Sequence, residues 1–140
     1  AKKVGIKINL KNVDYNVLDG IGVRGEYDLL ISNILTEQAG DPEVFVNQYW
    51  KTNVDGSNPQ NGSGYSNPEY DALSDQLASE FDPAKRRDII IKMEKIVQDD
   101  AATLIFGYPQ TNMVSNKSVQ NANIYPCDYY WVTKDITPAK

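Results

Sequence analysis

The side chains that most often carry out catalysis are scarce in this chain. Its 140 residues include no histidine, so no Ser-His or Cys-His pair can activate a nucleophile and no imidazole can bind a metal ion. The single cysteine, Cys127, cannot form an internal disulfide or a cysteine cluster for zinc. We therefore expect no catalytic residue, no metal site and no cofactor.

Several short patterns resemble functional motifs without meeting their requirements. Residues 62–64 place a serine between glycines, but outside the strand-to-helix turn of a nucleophile elbow. Residues 20–25 have G-x-G-x-x-G spacing, but they follow a predicted helix and precede a predicted strand, the reverse of a dinucleotide-binding turn. The polar positions of residues 55–66 lack the glycine and the final glutamate of a calcium loop. Sequons at Asn61 and Asn116 are short patterns that arise by chance in an Asn-rich chain.

Charge and composition restrict the class of partner. Nineteen acidic and fourteen basic residues give a net charge of −5, which disfavours nucleic acid and anionic lipid because both require a basic face. No apolar run approaches the roughly 20 residues that span a bilayer. With 41% hydrophobic and 10% aromatic residues, the chain can bury the core of one ordinary domain.

The first third of the chain predicts a βαβ unit. Between residues 4 and 10, apolar side chains occupy every second position, which is typical of a half-buried strand. Apolar residues at 15–21 suit a short helix, ended by the glycine-rich stretch 20–25. Residues 27–31 predict a second strand, whose core at 29–31 is apolar in succession, as in a strand covered on both faces. A right-handed crossover would join the two strands.

Later segments predict three helices and two further strands. Each helix begins with an Asx residue and a proline, which supply a side-chain acceptor and a first position that needs no N–H partner. The first helix runs from Asp41 to about Trp50. The second begins at Ser66 or Asn67, and the third runs from Asp82 to near Asp100. The apolar run at 102–106 predicts a strand, residues 112–115 are a candidate for another, and residues 51–67 are expected to form a long loop. The expected fold class is α/β, with a mixed sheet covered by helices.

The topology points to one candidate binding site. Ligands of α/β sheets bind beyond the carboxyl ends of the strands, and here that place is the loop 33–41. The following helix start offers main-chain N–H groups and a positive dipole end. The alternative is that Asp41 only caps its helix and that the loop is solvated. The candidate ligand-binding residues are Asn33, Thr36, Glu37, Gln38 and Asp41, with Tyr65 of the long loop in addition.

The succession of segments resembles a known family. Residues 40–45 are similar to an "acidic, Pro, two residues, Phe" element, and residues 65–73 to a "Tyr-x-Asn-Pro-x-Tyr-Asp-x-Leu" segment. Residues 82–87 match a turn and an arginine before a long helix. Together they resemble family 5 of the extracellular solute-binding proteins, the oligopeptide-, dipeptide- and nickel-binding receptors of ABC importers. Order and spacing agree over about residues 4 to 120.

The resemblance implies that this chain is a fragment of an exported, non-enzymatic receptor. Family members have two lobes hinged around a ligand cleft, and residues 1–111 would form the C-terminal part of the second lobe. Residues 112–140 would return to the missing first lobe. The implied partners are a small solute, peptide-like or a metal complex, and an ABC permease outside the cytoplasm. The rings of the tail, Tyr125, Tyr129, Tyr130 and Trp131, could drive self-association of the fragment.

Two departures leave the ligand class open. Where the peptide-binding branch has an aspartate for the ligand's amino terminus, this chain has Gln38, with Glu37 beside it. Where the nickel-binding branch has a tryptophan and a tyrosine, it has Thr36 and Gly40. The alternative to a transport fragment is a standalone small α/β interaction or enzyme domain with its site in loop 33–41.

Overall fold

Helices dominate the chain. The computed structural model describes residues 2–33, 41–110, 112–125 and 132–139, and the chain divides into two units, Ala1–Thr103 and Leu104–Lys140. The larger unit has a 3-10 turn at Lys2–Val4 and the helices α1 (Tyr15–Arg24), α2 (Pro42–Trp50), α3 (Pro68–Ser79) and α4 (Pro83–Asp99). The smaller unit has an antiparallel pair of short strands, β1 (Val119–Gln120) and β2 (Thr137–Pro138). No helix in the described residues is long and apolar enough to cross a membrane.

The three Asx–Pro helix starts are confirmed. Asp41 accepts a hydrogen bond from the Glu43 N–H at 2.9 Å, and Asp82 accepts from the Lys85 N–H at 2.9 Å. Asn67, rather than Ser66, caps α3. A proline follows each cap at the first helical position. These starts depend on neighbouring residues alone, which is why they could be read from the sequence.

Helices α2, α3 and α4 enclose the core of the larger unit. The side chains of Tyr70, Leu77 and Met93 are completely buried, and the Tyr70 hydroxyl donates to the Val46 carbonyl at 2.7 Å. The apolar stripe predicted on α4 faces this core. The buried hydrophobic residues are Val46, Tyr70, Leu77, Ile89, Ile90, Met93 and Val97.

The predicted mixed sheet is wrong for the described residues. Residues 4–10, 27–31, 102–106 and 112–115 do not form strands, so the expected βαβ unit and the mixed sheet covered by helices are absent from the described residues. Apolar alternation specifies which face is buried, but a strand also needs a neighbour to pair its N–H and C=O groups. Without one, apolar side chains such as Val4, Leu10 and Leu29 stand 72%, 80% and 76% exposed. The helix-rich chain with its small ladder remains consistent with the α/β class at a coarse level.

Two further predictions concern the end of helix α1 and the aromatic residues of the tail. Helix α1 does not stop at the start of the glycine-rich stretch but continues to Arg24. It ends at Gly25, whose φ of 64° lies in the left-handed region that glycine adopts without strain. Tyr129, Tyr130 and Trp131 of the tail lie outside the described residues, so their predicted association role stays a prediction.

Candidate functional site

The predicted ligand loop is described at its two ends. Asn33 is exposed and belongs to no helix or strand. Thr36, Glu37 and Gln38 lie outside the described residues, and their binding role stays a prediction. At the other end, Asp41 is the cap of α2.

Both oxygens of the Asp41 carboxylate have protein partners. One accepts from the Glu43 N–H, and the other accepts from Nη2 of Arg86 at 2.7 Å. The Asp41 side chain is still 46% exposed, so part of it faces solvent. The geometry therefore explains Asp41 as a helix cap and ion-pair partner, and a ligand contact is an additional prediction.

Arg86 joins three helices around this point. Its Nη1 donates to the main-chain oxygens of Leu77 (2.9 Å) and Glu80 (2.8 Å), at the end of α3. Its Nη2 donates to Asp41 and to the Glu43 carboxylate (2.8 Å), at the start of α2. The hydrogen bond with Glu43 raises the pKa of Arg86. Burial opposes this rise, and the charge and hydrogen bond of Asp41 add to it. Sequence analysis noted an arginine before the long helix but missed this role, because the partners are distant in sequence.

A groove adjoins Asp41, where the predicted loop ends. It has a volume of about 480 Å³ and lies between the start of α2 and the first three turns of α4. Its lining combines apolar side chains, including Pro42, Ile90 and Ile91, with the charged Arg87 and Glu94. The volume is in the range of small-ligand pockets. No group of three or more His, Cys, Asp or Glu side chains in the described residues could hold a metal ion.

Replacing Asp41 by alanine is expected to destabilise the larger unit by about 1 kcal/mol, because the α2 cap is lost. Asparagine is also a good cap residue, so Asp41→Asn should keep the hydrogen bond to Glu43 and lose only the ion pair with Arg86. Urea denaturation of both variants measures the two contributions. If Asp41→Asn loses as much stability as Asp41→Ala, the cap is not the main contribution of this side chain.

Tyr65 is fixed at the opposite end of α4. Its hydroxyl donates to Asp100 Oδ2 at 2.7 Å, and the Asn67 amide donates to the same oxygen at 2.8 Å. These two bonds lower the pKa of Asp100. Burial, followed by the contact with Asp100, raises the pKa of Tyr65. The ring also packs edge-on against Tyr70, with centroids 6.0 Å apart.

The structure does not bring Tyr65 and Asp41 together. Asp41 contacts α4 at Arg86, in its first turn, whereas Tyr65 contacts Asp100, just past its last turn. Fourteen residues of helix separate these two contacts, a rise of about 20 Å. A single small ligand held at Asp41 therefore would not reach the Tyr65 hydroxyl.

The sequence is similar to that of a periplasmic binding protein. This relative is the "Probable D,D-dipeptide-binding periplasmic protein DdpA" of Escherichia coli (strain K12), 31% identical over 119 residues. The match covers 84% of this chain and 22% of DdpA, so the chain spans about a fifth of the length of the curated relative it matches. No family model matches the chain. No solved structure matches it either.

Proposed function

We propose that this chain is part of the second lobe of a family 5 solute-binding protein, which captures a small peptide-like solute for an ABC importer. The observation that carries the proposal is the similarity to DdpA, which extends over 84% of the chain. DdpA is named as a binding protein for D,D-dipeptides in the periplasm. The proposed protein is accordingly a receptor outside the cytoplasm and not an enzyme, and its macromolecular partner is a permease.

The exposed apolar segments support the fragment proposal. Val4, Ile6, Ile8 and Leu10 are each more than half exposed, although their alternation is that of a half-buried strand. A self-contained α/β domain would cover these side chains with its own residues. In a two-lobed receptor, strands supplied by the rest of the polypeptide would pair with this segment and bury its apolar face.

Solute capture would occur by closure of two lobes around the ligand. Small-molecule sites bury most of the ligand's surface, and a single lobe supplies one wall. Ligand binding would bias a hinge motion towards the closed form, which the permease then recognises. The tail at 112–140, which would cross back to the first lobe, is the proposed route of self-association when that lobe is missing.

The proposed contribution of this lobe to the ligand site is the loop 33–41. Its candidate contacts are Asn33, Thr36, Glu37, Gln38 and Asp41, and of these Asp41 lines the groove beside the start of α2. Gln38 can hydrogen-bond to a ligand but cannot neutralise an ammonium group. Its neighbour in the sequence, Glu37, has a carboxylate that could neutralise one. Tyr65 would contact only a ligand long enough to extend towards the other end of α4.

The test is calorimetric titration of the full-length receptor with a D,D-dipeptide. Glu37→Gln is expected to weaken binding of the dipeptide by about 1.5–3 kcal/mol, the contribution of a hydrogen bond to a charged group such as its terminal ammonium. Gln38→Ala should cost about 1 kcal/mol. The matched control is Glu26→Gln, because the Glu26 carboxylate is exposed and pairs with Arg24 instead.

The isolated 140-residue chain is the second protein to be titrated with the dipeptide. It should bind the same dipeptide no more tightly than about millimolar, near −4 kcal/mol, because one wall of the site is missing. Micromolar binding by this chain alone would overturn the two-lobe proposal. Wild-type affinity in both Glu37→Gln and Gln38→Ala would instead show that loop 33–41 is only a connector.

A further inference from the structure

The side chain of Asn61 is a buried polar centre of the loop 51–67. Only 3% of its surface is exposed. Its amide nitrogen donates to the main-chain oxygens of Lys51 (3.0 Å) and Tyr65 (2.8 Å), and its amide oxygen accepts from the Ser63 hydroxyl at 2.8 Å. One side chain thus ties the beginning of the loop to its end.

The following residue, Gly62, packs against the end of α1. A methyl group on its α-carbon would overlap the carbonyl group of Gly22 in the last turn of α1. A methyl group on Gly25 would lie 2.5 Å from the Gly62 carbonyl oxygen. The main chain at Gly62 therefore packs closely against the end of α1.

An asparagine followed by glycine is chemically labile, because glycine has no side chain to shield its main-chain nitrogen. We propose that Asn61 is a latent deamidation site that the fold keeps unreactive. In the reaction, the Gly62 nitrogen loses its proton and attacks Cγ of Asn61. The bond from Cγ to Nδ2 breaks and ammonia leaves. The cyclic imide then adds solvent water and opens to aspartate or isoaspartate.

Two features of the folded state oppose the attack. Asn61 has to rotate before Cγ can meet the Gly62 nitrogen, and rotation breaks its hydrogen bonds to Lys51 and Tyr65. The main chain at Gly62 has to adjust as well, and its close packing against the Gly22 carbonyl restricts that movement. Deamidation then requires the loop to open locally, so its rate follows the fraction of molecules in the open state.

The reaction would change the loop permanently. The product carboxylate has no N–H group for the carbonyls of Lys51 and Tyr65, and its negative charge would face both of these acceptors. The open loop could not return to its original hydrogen bonding. Because Tyr65 is held partly by Asn61, deamidation would also release the main chain of Tyr65.

The experiment measures deamidation of Asn61 by peptide mapping and mass spectrometry at mildly alkaline pH. It compares the folded 140-residue chain, the same chain in urea and a synthetic peptide of residues 57–66. We expect the folded chain to react at least about tenfold more slowly than the peptide, which corresponds to an opening free energy of about 1.4 kcal/mol. Urea should restore the rate of the peptide.

Ser63→Ala tests the mechanism of protection, because it removes the hydrogen bond to Asn61, and the one that Ser63 accepts from the Tyr65 N–H, without altering the reacting atoms. It should accelerate deamidation several-fold in the folded chain and leave the rate unchanged in the peptide. Ser79→Ala in α3 is the matched control, since the Ser79 hydroxyl bonds to Gln76 instead. The proposal is overturned if the folded chain reacts as fast as the peptide, or if Ser63→Ala has no effect on its rate.

Discussion

Replacing Gly62 by alanine is expected to lower the free energy of unfolding of the larger unit by about 3 kcal/mol, the upper part of the usual range for overpacking. The added methyl group would overlap the main-chain carbonyl of Gly22. Unlike a flexible side chain, a carbonyl within a helix cannot move aside by itself. Either α1 must shift away from the loop or the loop must open. Urea denaturation followed by circular dichroism measures the loss.

The control for this prediction is a variant of Gly22, the residue whose carbonyl group Gly62 contacts. A methyl group on Gly22 would meet only the Leu30 side chain, at 3.4 Å, and it would replace a glycine within a helix. Gly22→Ala should therefore be neutral or stabilise the chain by up to about 1 kcal/mol. A large loss in Gly62→Ala without a loss in Gly22→Ala would establish the close approach at Gly62, whereas a similar loss in both would contradict it.

The glycine-rich stretch 20–25 shows how sequence analysis can reject a motif correctly and still miss its role. Its spacing is that of a dinucleotide-binding turn, which the order of elements excluded. In the structure, the lack of a side chain at Gly25 allows the end of α1 to approach the main chain of Gly62, and the carbonyl group of Gly22 is the group that Gly62 contacts. Their partner lies about 40 residues away in the sequence. A local pattern carries no information about such a contact.

The helices could be predicted because their signals are local. Asp41, Asn67 and Asp82 each cap a helix whose first residue is proline, and three or four neighbouring residues determine that arrangement. The predicted strands failed for the opposite reason. The alternation at residues 4–10 indicates an apolar face, but pairing depends on a strand elsewhere, and the described residues provide none there.

The candidate site was predictable to a similar extent. The cap at Asp41 followed from its position before Pro42, and the structure confirms it. The ion pair of Asp41 with Arg86 and the hydrogen bond of Tyr65 with Asp100 join residues 45 and 35 positions apart. Such pairs become visible only when α4 is placed beside both partners.

Replacing Tyr70 by alanine is expected to cost about 4 kcal/mol of stability, in the range for removing an aromatic ring from a core. The side chain is completely buried, and its hydroxyl donates to the Val46 carbonyl at 2.7 Å. Tyr70→Phe keeps the ring and removes that bond, so it should cost about 1 kcal/mol. Chemical denaturation near neutral pH separates the contribution of the ring from that of the hydroxyl.

The dependence of stability on alkaline pH provides a separate test of the Tyr70 hydroxyl. Burial disfavours the charged phenolate and raises the pKa of Tyr70 in the folded chain, whereas in the unfolded chain it ionises near pH 10. Above that pH the unfolded state has lost a proton that the folded state retains, so stability falls as pH rises. Between about pH 9 and 11, wild type should therefore lose about 1.4 kcal/mol more than Tyr70→Phe. Tyr65, whose pKa is also raised, is retained in both proteins, so most of its contribution cancels from the comparison. Parallel losses of stability in the two proteins would mean that the Tyr70 hydroxyl ionises as readily in the folded chain as in the unfolded one, which is incompatible with its burial.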